Sequence, residues 1–201
     1  MTTFWATHQV SSPYLSAFES EAALKERNSR YPDLLGLMPV EYPGQTVLDY
    51  GCGPGHDTLM FLRYNAAHVY FADISWLALQ TTSERLAMHG LREKATALFA
   101  DDELPQVDHV HCAGVLHHVH DPIGVLLRLR RALKEGEARV MVYDGDLSTH
   151  SQSEVPITEW WTKREFITLA GEAGFKAEHV GSYPCSSPWR PDCFAACYVL
   201  R

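Results

Sequence analysis

The stretch that decides the fold is VLDYGCGPGHD, Val47–Asp57, in which a short apolar run ends in three glycines within five positions, Gly51, Gly53 and Gly55. A run of that length reads as a buried strand. Glycines let the chain turn sharply behind it and let a ligand reach the main chain with no Cβ in the way. A helix predicted from His56 to Tyr64 adds its unpaired backbone N–H groups to the same corner. The question the stretch raises is which ligand needs so bare a loop.

Working outward, apolar runs and amphipathic segments alternate. Strands are expected at Thr46–Asp49, His68–Ala72, Ala95–Ala100, Val107–Ala113, Ala138–Tyr143, Phe175–Gly181 and Phe194–Leu200. Helices are expected at Ser75–His89, closed by Gly90, at Pro122–Lys134, and at Lys163–Ala173, closed by Gly174. Such alternation argues an α/β fold with a doubly wound parallel sheet. No helix separates the last two strands, so they should pair as an antiparallel hairpin at one edge. Upstream, LSAFESEAALKERNSRYPDLLGLM from Leu15 reads as helical, with Ser16 as a cap and an interruption at Pro32. Residues 1–44 are therefore read as an N-terminal helical cap segment, and residues 45–201 as one domain.

Composition narrows the function. A formal charge of −8 disfavours a large nucleic-acid footprint, which needs a basic face to displace counterions. The basic run RLRRALK from Arg128 has the spacing of a solvated helix face. Apolar runs such as Cys112–Leu116 fall far short of the ~20 residues that cross a bilayer. The opening MTTFWATHQVSSPYL has no basic start followed by an apolar stretch, so a cytoplasmic protein is expected, with no membrane association. Five cysteines, at 52, 112, 185, 193 and 197, form no Cys-x-x-Cys pair and read as reduced thiols. No metal is required by this sequence, and nothing in it sets an oligomeric state.

In a doubly wound sheet, ligands bind beyond the carboxyl ends of the strands, where the glycine loop lies. Asp73 ends the second strand about 20 residues on, where a carboxylate can accept from both hydroxyls of a ribose. Together they point to a nucleoside-containing ligand. The loop reads G-C-G-P-G with His56 at the third-glycine position of a dinucleotide fingerprint, and no Gly-Lys-Ser/Thr follows. Asp49 and Asp57 place negative charge around it, which disfavours a pyrophosphate and suits an ammonium or sulfonium group.

VLDYGCGPG resembles the glycine-rich motif of the class I S-adenosylmethionine-dependent methyltransferases, in which the leading aspartate, here Asp49, lies near the amino group of the cofactor. FADIS, LFADDELP, CAGVLHHVHDP and WWTKREFITLAGEAGF are similar to later motifs of small-molecule members of that family, and the resemblance covers about residues 45–200. It implies a Rossmann-like seven-stranded sheet ordered 3-2-1-4-5-7-6 with strand 7 antiparallel, and S-adenosyl-L-methionine as cofactor. The cofactor-binding set it implies is Asp49, Gly51, Cys52, Gly53, Gly55, Asp73, Ile74 and Ala113, with Asp101 or Asp102 at the adenine. Asp101 is the choice by motif alignment. Arg27 or Arg30 of the N-terminal segment could pair with the cofactor carboxylate.

Methyl transfer is an in-line displacement for which a base near the nucleophile is useful. His117 and His118 after the fourth strand and Asp144 after the fifth are the candidate bases. Trp5, Tyr14, Phe18, Trp160 and Trp161 read as either an aromatic lid or core. The short polar insertion DGDLSTHSQSEVPITEWW predicts a modest pocket and a small-molecule acceptor, methylated on O, N or C. The alternatives are a non-catalytic cofactor-binding subunit and a protein or RNA methyltransferase; the Asn/Asp-Pro-Pro-aromatic segment of adenine N6 methylation is missing after the fourth strand.

Overall fold

The computed structural model describes residues 42–144, 161–184 and 194–201. Seven strands form one sheet: β1 (Thr46–Tyr50), β2 (His68–Asp73), β3 (Ala95–Phe99), β4 (Val107–Ala113), β5 (Leu133–Asp144), β6 (Ala177–Pro184) and β7 (Phe194–Leu200). Their order is β3-β2-β1-β4-β5-β7-β6. The first five run parallel. β7 is antiparallel to both neighbours, so the β6–β7 hairpin is present with β7 inside it and β6 at the edge. Among the described residues, four α-helices accompany the sheet: α1 (His56–Arg63), α2 (Trp76–Met88), α3 (Pro122–Ala132) and α4 (Lys163–Glu172). Among the described residues no helix is long and apolar enough to cross a membrane.

Period-2 alternation along β1 sorts the core into two layers. Val47 packs with Leu59, Phe61, Leu79 and Leu86 of α1 and α2. Leu48 and Tyr50 point the other way, into a cluster with Leu126, Leu129, Phe166 and Ala170 of α3 and α4. At the amino end of the sheet, Asp108 accepts from the Thr46 backbone N–H at 2.8 Å and from its hydroxyl at 2.7 Å, tying β4 to β1. These bonds, chiefly the backbone one, hold the Asp108 carboxyl below its ordinary range.

Helix ends follow local chemistry. Ser75 caps α2 by accepting from the Ala78 N–H, and Asp121 caps α3 by accepting from Gly124. Thr162 and Glu165 form a reciprocal capping box on α4. Two expected boundaries are corrected. The helix predicted through Lys134 stops at Ala132, because Leu133 is extended and pairs with Val107, which starts β5 five residues before the expected Ala138. The sixth strand begins at Ala177 rather than Phe175. The Phe175 N–H instead closes α4 on the Ala170 carbonyl, with Gly174 at φ 82.

The α1 side of the sheet contains a polar layer. His109 is fully desolvated among Tyr42, at 5.1 Å between ring centroids, and Phe61, at 6.1 Å. Burial pushes its pKa well below the ordinary value, and the neighbouring His111 and Arg139 add to the effect. The unfolded chain therefore binds a proton at a higher pH, about 6.5, than the native state does. Stability is fully present above that pH and is lost as pH falls below it. The expected outcome is a denaturant midpoint that drops between pH 7 and pH 5, with a smaller drop in His109→Phe, measured by urea titration at both pH values.

Candidate functional site

The glycine loop lies between the carboxyl end of β1 and α1. It is pinned from three directions. The carbonyl of Ala72 in β2 accepts from the N–H groups of Gly51 at 2.7 Å and Cys52 at 3.0 Å. Asp73, at the end of β2, accepts from Gly53 N–H at 2.9 Å through one carboxylate oxygen and from Ser75 N–H at 2.9 Å through the other. From α2, Thr82 donates to the Gly53 carbonyl at 3.0 Å and Arg85 to the Pro54 carbonyl at 2.8 Å. Burial raises the Asp73 pKa above the ordinary carboxylate value, and the N–H groups of Ser75, Gly53 and Ile74 oppose that rise.

Two of the glycines are required for different reasons. At Gly51, φ is +80, and a Cβ would overlap the Val115 side chain that follows β4. At Gly53, φ is +51, yet nothing among the described residues lies within 4 Å of where a Cβ would be. Gly51 is therefore a packing glycine, while Gly53 presents a main-chain face that no described residue covers.

The predicted residues divide accordingly. Asp49 is buried in β1 and accepts from the Thr58 hydroxyl at 2.6 Å. Asp57, read as charge around the loop, instead turns under it and meets His111 Nε2 at 3.2 Å. Cys52 contributes backbone only. Its thiol is buried beside Thr82 at 3.7 Å, and burial, with Asp49 and Asp73 nearby, raises its pKa well above the ordinary value, so it is a neutral packing thiol. Both adjacent acids after β3 are exposed; Asp102 turns back to accept from Phe99 N–H at 2.8 Å, whereas the Asp101 carboxylate makes no such bond among the described residues. Ile74 and Ala113 lie half-buried at the ends of β2 and β4.

His117 and His118 occupy a single 3-10 turn, Leu116–His118, with their rings 4.1 Å apart. His117 is completely buried, and His118 is half-buried. Asp144 ends β5, at the same carboxyl edge of the sheet as Asp73 and Ala113. Trp161 is buried 5.8 Å from the Phe166 ring, which makes it core. Arg27, Arg30, Trp5, Tyr14, Phe18 and Trp160 lie outside the described residues. The solvated basic face expected from Arg128 holds for Arg130, Arg131 and Lys134, which are exposed, whereas Arg128 is half-buried and its guanidinium donates at 2.6 Å to the carbonyls of Ala100 and Asp102; Arg130 also lies 5.6 Å from the Phe175 ring centroid. These contacts set the Ala100–Asp102 turn beside the site and bring α4 against α3.

Thr82, Arg85 and Val115 were not legible as site residues, because their partners are backbone atoms or a glycine distant in sequence. Trp76 and Phe99 were missed as well. They leave large apolar surface exposed, 63% and 45%, where α2 starts and β3 ends, and Phe99 sits opposite Asp73 in the sheet.

Residues 48–136 match the methyltransferase domain family. A tRNA U34 carboxymethyltransferase from Pseudomonas aeruginosa is 36% identical over 117 residues, covering 55% of this chain and 36% of that protein. The chain thus spans about a third of the length of the curated relatives it matches. Among solved structures, a Haemonchus contortus phosphoethanolamine N-methyltransferase in complex with S-adenosylhomocysteine superposes with a TM-score of 0.76 at 17% identity, over 99% of this chain and 59% of that one. An S-adenosylmethionine-dependent methyltransferase from Mesorhizobium loti gives a TM-score of 0.67 at 18% identity, over 89% of this chain and all of that one. The family match gives residues 48–136 a methyltransferase domain, and the solved structures show that the chain shares the fold of S-adenosylmethionine-dependent methyltransferases.

The Gly51–Val115 contact carries its own test. Gly51→Ala forces a left-handed φ on alanine and overlaps Val115, so a loss of roughly 2–4 kcal/mol is expected. Adding Val115→Ala relieves the overlap but not the φ, and chemical denaturation should show partial recovery in the double variant.

Proposed function

We propose that this chain binds S-adenosylmethionine at the Gly51–Gly55 loop and transfers its methyl group to O, N or C of a small-molecule acceptor. The observation that carries the reading is the pairing of an open main-chain face at Gly53 with the Asp73 carboxylate bonded to that same residue. Both sit at the carboxyl ends of parallel strands, where such sheets take their ligands.

The described residues fit the cofactor piece by piece. Asp73 supplies an acceptor for ribose hydroxyls, and Ile74, Phe99 and Asp101 border the place of the base. Asp49 and the carbonyl-rich loop supply negative charge for the ammonium and sulfonium end. When bound, the cofactor supplies an already activated methyl group, so the protein's task is alignment and, where the acceptor carries a proton, its removal. Between the two adjacent histidines, His118 is the assigned base, since complete burial keeps His117 from an acceptor. Asp144 remains the second candidate base. Residues 1–44, including Arg27, are proposed as a cap over the cofactor. The free thiols of Cys52, Cys112 and Cys197 support a reducing, cytoplasmic setting.

A second reading is RNA methylation, favoured by the relatives that act on tRNA U34. Against it stand the formal charge of −8 and the bonding of Arg128 within the domain. Radiolabelled methyl transfer into bulk RNA, compared with transfer into a small-molecule fraction, separates the two.

The cofactor test is calorimetric titration of S-adenosylhomocysteine into wild type, Asp73→Asn and Gly53→Ala. Asp73→Asn is expected to weaken binding by roughly 1–3 kcal/mol. Gly53→Ala strains the left-handed φ by roughly 1–2 kcal/mol, but its Cβ meets no atom of the described residues, so a folded protein is expected in which the face a ligand needs is blocked. A folded wild type that binds no S-adenosylhomocysteine overturns the reading.

A further inference from the structure

We propose that Thr82 and Arg85 of α2 are positioning residues for the cofactor, acting through the two loop carbonyls they hold. The inference rests on the proposed cofactor site and extends it to residues that touch no ligand.

The Gly53–Pro54–Gly55 backbone has no side chain with which to choose its own orientation, and Pro54 has no N–H with which to anchor it. Within the loop a turn bond, Gly55 N–H to the Cys52 carbonyl at 3.0 Å, closes it, and the Gly53 and Pro54 carbonyls take their direction from α2. Thr82 is fully buried and donates to the Gly53 carbonyl at 3.0 Å; one turn along, the buried Arg85 donates through Nε to the Pro54 carbonyl at 2.8 Å. The spacing of three residues places both donors on one face of α2. That face also approaches Gly55 so closely that a Cβ there would come within 2.6 Å of Thr82. Two consecutive carbonyl dipoles are thus drawn towards α2, while no described residue lies within 4 Å of where a Gly53 Cβ would be.

Geometry alone would allow Thr82 and Arg85 to serve only packing. Ser75 and Asp73 point to a larger role. The start of α2 is bonded to Asp73, and Asp73 is bonded to Gly53 N–H, so both ends of the Gly53 residue are referred to one rigid helix. Cofactor ribose and loop backbone then share a common frame. A hydroxyl or guanidinium removed from α2 frees the carbonyls to rotate and spreads the loop over several orientations, of which only one fits the ligand. The loss falls on binding, because the ordering must then be supplied when the ligand arrives.

The test is titration of S-adenosylhomocysteine into wild type, Thr82→Val, Thr82→Ser, Arg85→Met and Arg85→Lys, with thermal unfolding of each. Thr82→Val and Arg85→Met are expected to raise the Kd about tenfold, the scale of one hydrogen bond that shapes a site. Thr82→Ser should restore wild-type binding, because it returns the hydroxyl without the methyl group. Arg85→Lys should restore it in part, through a single donor of different reach. Lowered unfolding temperatures with unchanged Kd, or a loss at Thr82 that serine does not repair, overturns the inference and assigns these residues to packing. Wild type that fails to bind S-adenosylhomocysteine overturns the proposed function and this inference together. Should Thr82→Val fail to fold, Arg85→Met and Thr82→Ser decide between the same outcomes.

Discussion

The rest of the site depends on one carboxylate. Asp73 ends β2 with an oxygen on each side of a corner, accepting from the glycine loop at Gly53 and from the start of α2 at Ser75. A buried carboxylate accepting from several backbone N–H groups is a strong local constraint, because moving either segment strands a charge away from water. The loop after β1, the end of β2 and the head of α2 therefore move as one body. Burial raises the Asp73 pKa and its backbone partners lower it, so those N–H groups are also what keeps the acid suited to accepting hydrogen bonds.

Below that corner the sheet uses polar groups where apolar ones would pack as well. Asp49 takes the Thr58 hydroxyl, and Asp57 meets His111, so both acids of the motif reach partners that lock α1 to β1 and β4. Each pair uses a side chain to fix the entry of α1, which has no side-chain cap of its own because its N-cap is Gly55. A loop left bare for a ligand loses the usual capping hydroxyl, and the burial of the flanking acids compensates for it. On the other side of the loop, Val115 fills the space above Gly51, joining the β1 corner to the segment that carries His117 and His118.

Much of the fold was legible because it is periodic. Strand–helix alternation from Thr46 to Leu200 predicts a parallel sheet, and the absence of a helix between the last two strands predicts their hairpin; both are found. The errors fall where pairing overrides local preference. Leu133 and Lys134 continue a helical pattern but lie opposite Val107 and beside Asp108, so they extend β5 instead. Arg128 shares the spacing of the exposed stripe formed by Arg130, Arg131 and Lys134, yet a carbonyl turn lies within its reach and draws it in. Helical periodicity shows which residues share a face and is silent on what that face meets.

By itself the sequence determined the order of elements, the glycine loop and the presence of Asp73 at a strand end, because each is written in residues close together along the chain. Only the tertiary structure decided which glycine meets a side chain and which leaves its main chain bare. Gly51 and Gly53 are alike in sequence, and they differ because Val115 stands against one and nothing among the described residues stands against the other. Likewise, Asp102 and Asp101 are adjacent, chemically identical and both exposed, and only the first turns back to the Phe99 amide. Thr82 and Arg85 become part of the site for the same reason: their role lies in the direction of a carbonyl some 30 residues away in the chain, and only folding brings that direction into being.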